Sequence, residues 1–404
     1  MLESLPLVFV LVGLALYTVL GGADFGAGFW QLLAGRGHRA EDVREYAHES
    51  MAPVWEANHV WLIFVLTVFW TAYPKAFGSI ASTLAVPLFI AALGIIFRGA
   101  AYAFRSGATA PRESARIDTI FGVSSILTPF ALGAAIGGIA TDRVPVGNAA
   151  GDPWSSWLNT TSILIGVLAV ATSAYLAAVY LAADAARDRR RGLERDFRLR
   201  ALGAGTAAGA IALAGVFIVD HDNHALFHSL LTGQALPAVI VSAVAGAATL
   251  TLVHARRYEP ARYSAAVAVA SIIAGWALAR WPTILPGLSV DQAAAGHDTL
   301  VAIVVAVLGG GVILFPALAL LLRLEATGRF AAAETAPARV HTHVLRAGEP
   351  RVLARSAVAS LIAGFGLLNV ADAPWAHAVG IAFLFGFVVL AFRAIVVPAI
   401  AKGS

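Results

Sequence analysis

A polytopic all-α bundle of about eleven membrane-spanning helices is the fold class that this 404-residue sequence predicts. Three observations predict it. Hydrophobic residues make up 59% of the chain and charged residues only 13%, whereas a soluble domain carries about 25% charged residues. Apolar stretches of about 20 residues, the length that crosses a bilayer as a helix, recur from end to end. Arginine and lysine gather in alternate loops between those stretches, as they do where cytoplasmic and external loops take turns.

The spans expected are 5–34, 54–73, 77–104, 117–140, 157–183, 201–219, 235–253, 263–280, 298–323, 354–370 and 376–398. The first lacks a basic leader and an A-x-A cleavage site, so it reads as a retained helix rather than a signal peptide. Several are longer than the hydrocarbon core and imply tilt or extension beyond it. No segment alternates apolar and polar residues in the way a barrel strand does.

The connecting loops orient the spans. The first holds Arg36, Arg39 and Arg44, the third Arg105, Arg112 and Arg116, and the fifth runs from Arg187 to Arg200 with seven arginines. Arg256, Arg257 and Arg262 follow in the seventh, and Arg323, Arg329, Arg339, Arg346 and Arg351 in the ninth. With Arg393 and Lys402 in the tail, these positions hold 23 of the 28 basic residues. The intervening loops hold three, Lys75, Arg143 and Arg280, and Arg98 and Arg355 fall inside spans. This alternation places the N-terminus outside and the C-terminus in the cytoplasm of a multi-pass membrane protein, and the near-absence of lysine (only Lys75 and Lys402) beside abundant arginine suggests a bacterial source. The ninth loop is polar and rich in Ala and Pro, so the expected organisation is a nine-helix domain over 1–325, a cytoplasmic linker over 326–353 and a two-helix extension over 354–404.

Composition also excludes functions. A net charge of +4 follows from the loop bias and does not form a nucleic-acid-binding face. The absence of cysteine excludes disulfides, iron–sulfur clusters and thiolate chemistry. No glycine-rich phosphate loop and no G-x-S-x-G elbow is present. The only methionines are Met1 and Met51, and of the eleven histidines only His59, His297 and His377 approach apolar spans. With no facing pair of axial ligands, the chain is expected to hold no heme of its own. His221, His224 and His228 read as a hydrated loop rather than a metal site.

Ionisable residues at membrane depth are costly and usually face a bundle interior or polar cavity. Asp24 in span one, Glu56 and His59 in span two and Arg98 in span three fall at one depth in the predicted topology. They point either to a polar pocket or proton path, with Arg98 as the cation beside the carboxylates, or to a network that pins helix packing. Glu56 and His59 share a helix face. Trp55 and Trp61 flank them and also fit an interfacial belt. Gly21, Gly22, Gly26 and Gly28 surround Asp24 and allow close approach of a neighbouring helix or ligand.

These residues carry a resemblance. YTVLGGADFGAGF at Tyr17–Phe29 and PVWEANHVWL at Pro53–Leu62 resemble the first- and second-helix signatures of subunit II of the bacterial cytochrome bd-type quinol oxidases. RGAAYAFR at Arg98–Arg105, GAAIGGIATDRVP at Gly133–Pro145, WPTILPGLSVDQAAA at Trp281–Ala295 and a closing helix with Pro316 are similar to its later landmarks. The resemblance spans about 5–330. It implies a heme-free subunit that assembles with a heme-bearing subunit I carrying heme b and heme d. In that complex quinol is oxidised and dioxygen reduced to water, and subunit II helps line proton or oxygen access and leaves room for a bound quinone or lipid. The resemblance makes Asp24 and Glu56 the proton-carrying carboxylates, with His59 and Arg98 tuning them and Trp55, Asn58 and Trp61 as motif neighbours. The isolated chain would not be catalytic. The sequence departs from the family pattern at Gly21 and Ala103, where acidic residues are usual, and at Gly138, where asparagine is common. The alternatives are a heme-independent transporter or channel-like protein on the same scaffold, or a purely structural subunit.

Overall fold

The computed structural model describes residues 1–35, 37–51, 55–105, 111–326 and 349–370, together with 373, 375, 376, 378–387, 389 and 390. The expected linker, apart from its two ends, and the end of the expected extension lie outside the described residues. The chain divides into two compact units, Met1–Gly310 and Gly311–Ser404.

The first span is one apolar rod in three parts: α1 (Leu5–Leu16), a π-helical turn (Tyr17–Gly21) and α2 (Gly22–Leu32). Pro6 sits in the first turn of α1, where its missing N–H costs no helical bond. A polar helix follows, α3 (His38–Met51). It lies in what the sequence reading treated as a loop, and it buries Ala40, Val43, Tyr46 and Ala47 on one face. Helix α4 (Trp55–Ala72) is the second expected span.

The third expected span is broken. It forms α5 (Pro74–Thr83) and α6 (Ala85–Arg105), with Leu84 between them at φ −97° and ψ 23°. Pro87 is the physical reason: it has no N–H to bond the Thr83 carbonyl, so the ladder cannot continue from α5 into α6. Only Ala85–Arg105 is long enough to cross.

Then come α7 (Pro111–Ala140), α8 (Thr160–Arg187) and α9 (Arg191–Asp222). Asn159 caps α8 by accepting from the Ser162 N–H at 2.9 Å. Helix α9 begins at Arg191, so Arg191–Arg200, expected as loop, are its first turns. Its 32 residues extend about 48 Å, past a hydrocarbon core of about 30 Å. Next are α10 (His224–Thr232), capped by Asn223, α11 (Leu236–His254) and α12 (Tyr258–Arg280). His221 thus lies in the last turn of α9, and His224 and His228 lie on α10; they are helical, not loop, residues. A small hairpin was not foreseen either. β1 (Thr283–Leu285) pairs antiparallel with β2 (Leu288–Ser289), and Gly287 turns between them at φ +73°, a conformation that suits glycine. Ser289 and Gln292 then form a capping box that opens α13 (Val290–Ala293), and α14 (His297–Ala326) follows.

Among the described residues eight helices are long and apolar enough to cross a membrane. Asn58–Ala72 and Ala378–Phe387 are shorter apolar helices. The packing is that of a membrane bundle. Helix α8 is the hub, with Leu176–Val179, Leu181 and Ala182 all 0% exposed, and α2, α7 and α9 pack on it. Large apolar side chains point outward instead, such as Leu213 at 67% and Phe217 at 73% exposure on α9. Water would not tolerate so much exposed apolar surface, but lipid does.

In the second unit, α15 (Glu349–Val370) packs on Ala378–Phe387. The Ser360 hydroxyl donates to the Phe383 carbonyl at 2.7 Å, and a Cβ on Gly364 would lie 2.9 Å from the Gly380 carbonyl oxygen.

Candidate functional site

Small residues on α2 let it sit deep between α7 and α8. A Cβ on Gly26 would collide with the Ser173 carbonyl of α8 and stand 2.7 Å from the Ala177 Cβ. A Cβ on Gly22 would press on Leu176 at 3.2 Å. On the neighbouring face, a Cβ on Gly28 would strike Ser125 of α7 and stand 3.1 Å from Arg98 Nη1. Gly21 faces the Tyr17 ring, 3.2 Å from where its Cβ would be. Three of the four glycines around Asp24 therefore mark interhelical contacts, and Gly21 an intrahelical one.

That close packing encloses an ion pair. Asp24 is 2% exposed and Arg98 is 0% exposed. Arg98 Nη2 donates to Asp24 Oδ1 at 2.6 Å and to the Asp24 backbone carbonyl at 3.0 Å. Arg98 Nη1 donates to the Ser125 hydroxyl, which in turn donates to the Phe121 carbonyl at 2.6 Å. The guanidinium lies between two aromatic rings, 4.9 Å from the Phe25 centroid and 4.2 Å from the Phe121 centroid, a favourable arrangement for a desolvated cation. One guanidinium thus ties α2, α6 and α7 together.

The second carboxylate oxygen is different. Asp24 Oδ2 is buried and accepts no hydrogen bond among the described residues. A carboxylate with one oxygen fixed by a cation and the other uncommitted can take a proton at the free oxygen without losing its anchor. The Tyr17 hydroxyl is likewise buried with no hydrogen-bond partner among the described residues.

Helix α4 closes the other side. His59 packs edge-on against Tyr17 and Phe25, with ring centroids 6.3 and 6.4 Å apart. Asn58 is buried, and its Nδ2 donates to the Leu20 carbonyl at 3.2 Å, inside the π turn. A π turn disturbs the regular α-helical ladder, so a side-chain donor at that carbonyl helps hold the irregular backbone. Trp61 stacks edge-on with Phe64 at 6.3 Å along its own helix. The backbone of Trp55 and Glu56 belongs to α4, and their side chains lie outside the described residues.

The structure therefore brings Asp24 and Arg98 into direct contact and sets His59 and Asn58 against the same helix. Sequence reasoning missed Ser125, Phe25, Phe121 and Tyr17. The signal for Ser125 was available in the Ser124–Ser125 pair, two hydroxyls in the middle of an apolar helix. Among the described residues no group of three or more His, Asp or Glu side chains could hold a metal ion.

Comparison with known proteins gives one consistent family. Residues 2–325 match the family described as cytochrome bd terminal oxidase subunit II. Over 132 residues the chain is 28% identical to cytochrome bd ubiquinol oxidase subunit 2 of Bacillus subtilis strain 168, which covers 33% of this chain and 38% of that protein. It is 27% identical over 132 residues to cytochrome bd-I ubiquinol oxidase subunit 2 of Escherichia coli K12, covering 32% of this chain and 34% of that one. The matched stretch thus spans little more than a third of these relatives. In three dimensions the chain is similar to a chain of the bd oxidase from Geobacillus thermodenitrificans, with a TM-score of 0.65 and 24% identity, over 80% of this chain and 98% of that chain.

Proposed function

The chain belongs to the cytochrome bd terminal oxidase subunit II family, and on that premise we propose that it is the heme-free subunit of a quinol-oxidising, dioxygen-reducing complex in a bacterial inner membrane. Its partner is a heme-bearing subunit I that holds heme b and heme d. The isolated chain has no catalytic activity. It crosses the membrane eleven times, with the N-terminus outside and the C-terminus in the cytoplasm. Residues 1–325 form the family body, 326–353 a linker and 354–404 an extension beyond it.

Within that body the reading assigns proton access to Asp24 and Glu56. The observation that carries it is the asymmetry at Asp24: Oδ1 is held by Arg98 while Oδ2 is buried and uncommitted among the described residues. Arg98 keeps the carboxyl in place, Oδ2 receives the proton, and His59 lies beside the same helix. The buried glycine contacts of α2 exclude bulk water from this point, so a proton passes through side chains rather than through a wide aqueous channel. The hemes and the quinol site supply the redox chemistry in the partner, and this chain's residues hold and move protons.

The test is co-expression with the partner subunit. Heme b and d absorbance bands are expected in the purified complex and not in this chain alone. Asp24→Asn and Glu56→Gln are each expected to lower quinol-supported oxygen consumption about tenfold or more, within the range for loss of a positioned proton-transfer group, while the complex stays assembled. Unchanged rates in both variants would remove the proton role and leave packing. Function in the absence of any heme-bearing partner would instead favour a transporter-like protein.

A further inference from the structure

A second charged site lies away from Asp24, at the end of the bundle where the arginines collect. A cavity of about 430 Å³ opens between the end of α2, α3 and the first turns of α9, lined by Ala34, Arg39, Val43, Asp196, Leu199 and Arg200 among others. Its charges are unequal. Asp196 spends both carboxylate oxygens on Arg39, accepting from Nε at 2.7 Å and from Nη2 at 2.5 Å. Among the described residues Arg200, one turn further along α9, forms no ion pair of its own. Its guanidinium lies over Trp30 at 5.3 Å and Phe197 at 5.2 Å, and its Nη1 is buried with no hydrogen-bond acceptor among the described residues.

A buried, unsatisfied guanidinium N–H is costly, and an arginine fork matches a phosphate group. Two cations against one carboxylate leave the cavity with a net positive charge. Its volume falls within the range of small-ligand sites. Leu199, which lines it, is 57% exposed, and Leu33, next in sequence to the lining residue Ala34, is 56% exposed. An apolar margin beside a cationic recess, where a membrane helix ends, has the layout of a lipid: headgroup inward, glycerol and chains outward.

We propose that this cavity binds the phosphate of an anionic membrane phospholipid, with Arg200 as the principal donor and Arg39 beside it. The inference is independent of the oxidase reading. It goes beyond a diffuse attraction of lipid to the arginine run, because it names one recess and one unsatisfied donor.

The test uses the full chain, stripped of lipid in a neutral detergent and titrated with dioleoylphosphatidylglycerol, dioleoylglycerol or inorganic phosphate, with bound molecules counted by native mass spectrometry. Phosphatidylglycerol is expected to bind at one saturable site and dioleoylglycerol, which lacks the phosphate, is not. Arg200→Gln is expected to weaken phosphatidylglycerol binding about tenfold, as for loss of a charge-assisted bond. Arg191→Gln removes an exposed charge from the same run without touching the cavity, and is expected to change binding less than about twofold. Equal losses in the two variants, or equal binding of dioleoylglycerol, would overturn the proposal. Saturation by inorganic phosphate with no competition from phosphatidylglycerol would overturn the lipid assignment. Arg39→Gln, on the exposed side of the cavity, is expected to weaken binding in the same direction and serves where Arg200→Gln fails to fold.

Discussion

Two regions of the molecule use arginine–carboxylate pairs, and they do so in opposite solvents. Arg98 and Asp24 are almost wholly enclosed by α2, α6 and α7. Arg187 and Glu259, 3.0 Å apart at the arginine-rich end, have side chains 60% and 59% exposed. The contact chemistry is the same, and the distances differ by only a few tenths of an ångström. The lesson lies in what happens when one partner goes. At the surface, water and salt take over the remaining charge, so such a pair contributes little. In the bundle nothing takes it over, so each member makes the other indispensable without the pair being a large net stabiliser. The buried pair is a commitment between helices, while the surface pair is an accessory.

The comparison can be broken most directly at Arg98. Arg98→Ala strands the Asp24 carboxylate and is expected to cost about 3–5 kcal/mol, read as a large fall in melting temperature or loss of folded protein. A melt within about 1 kcal/mol of the parent would put Asp24 in contact with water and erase the contrast. Replacing both partners, as Asp24→Leu with Arg98→Met, is expected to restore most of that stability while leaving oxygen consumption by the complex low. This double variant separates the structural from the functional meaning of the pair. Gly26→Ala tests the enclosure itself. Its methyl group would meet the Ser173 carbonyl and is expected to destabilise by about 1–3 kcal/mol through overpacking. Ser125→Ala removes one acceptor from Arg98 and is expected to cost about 0.5–1.5 kcal/mol, the usual range for a hydrogen bond inside a membrane bundle. Glu259→Gln, at the surface pair, is expected to change the melt by less than about 1 kcal/mol and to lose even that in high salt.

Much of this arrangement was legible in the sequence. Asp24, His59 and Arg98 stand out because ionisable residues are scarce in apolar stretches, and the structure places them around one helix. The family landmarks over Tyr17–Phe29 and Pro53–Leu62 agree with the family match. Other features were hidden for physical reasons. Helix α3 is polar on its outer face, so a search for apolar spans passes over it, although Ala40, Val43 and Ala47 recur at helical spacing. The extension of α9 back to Arg191 was masked because arginine is both a good helix former and the mark of a cytoplasmic loop. The break at Leu84 could have been read from Pro87, whose position a residue or two inside a helix decides whether it starts the helix or interrupts it. The role of Ser125 depends on which helix faces Arg98, and that is a matter of tertiary packing.

The π turn at Tyr17–Gly21 has a consequence for how this region can change. Each residue of an α-helix advances the chain by about 100°, and a π turn absorbs one extra residue without ending the rod. The turn therefore acts as a phase shifter between two halves of a single span. Above it one stripe of side chains meets α4; below it the stripe is rotated so that Asp24 meets Arg98. If the turn relaxed to a regular α-helix with all its residues kept, every residue of α2 would swing by about 100°, whereas deleting one residue from 17–21 would let the ladder become regular with α2 close to its present phase. The facing of Asp24 toward Arg98 thus depends on the turn keeping its wide form, which makes the Asn58 bond to the Leu20 carbonyl as much a part of the site as the ion pair itself.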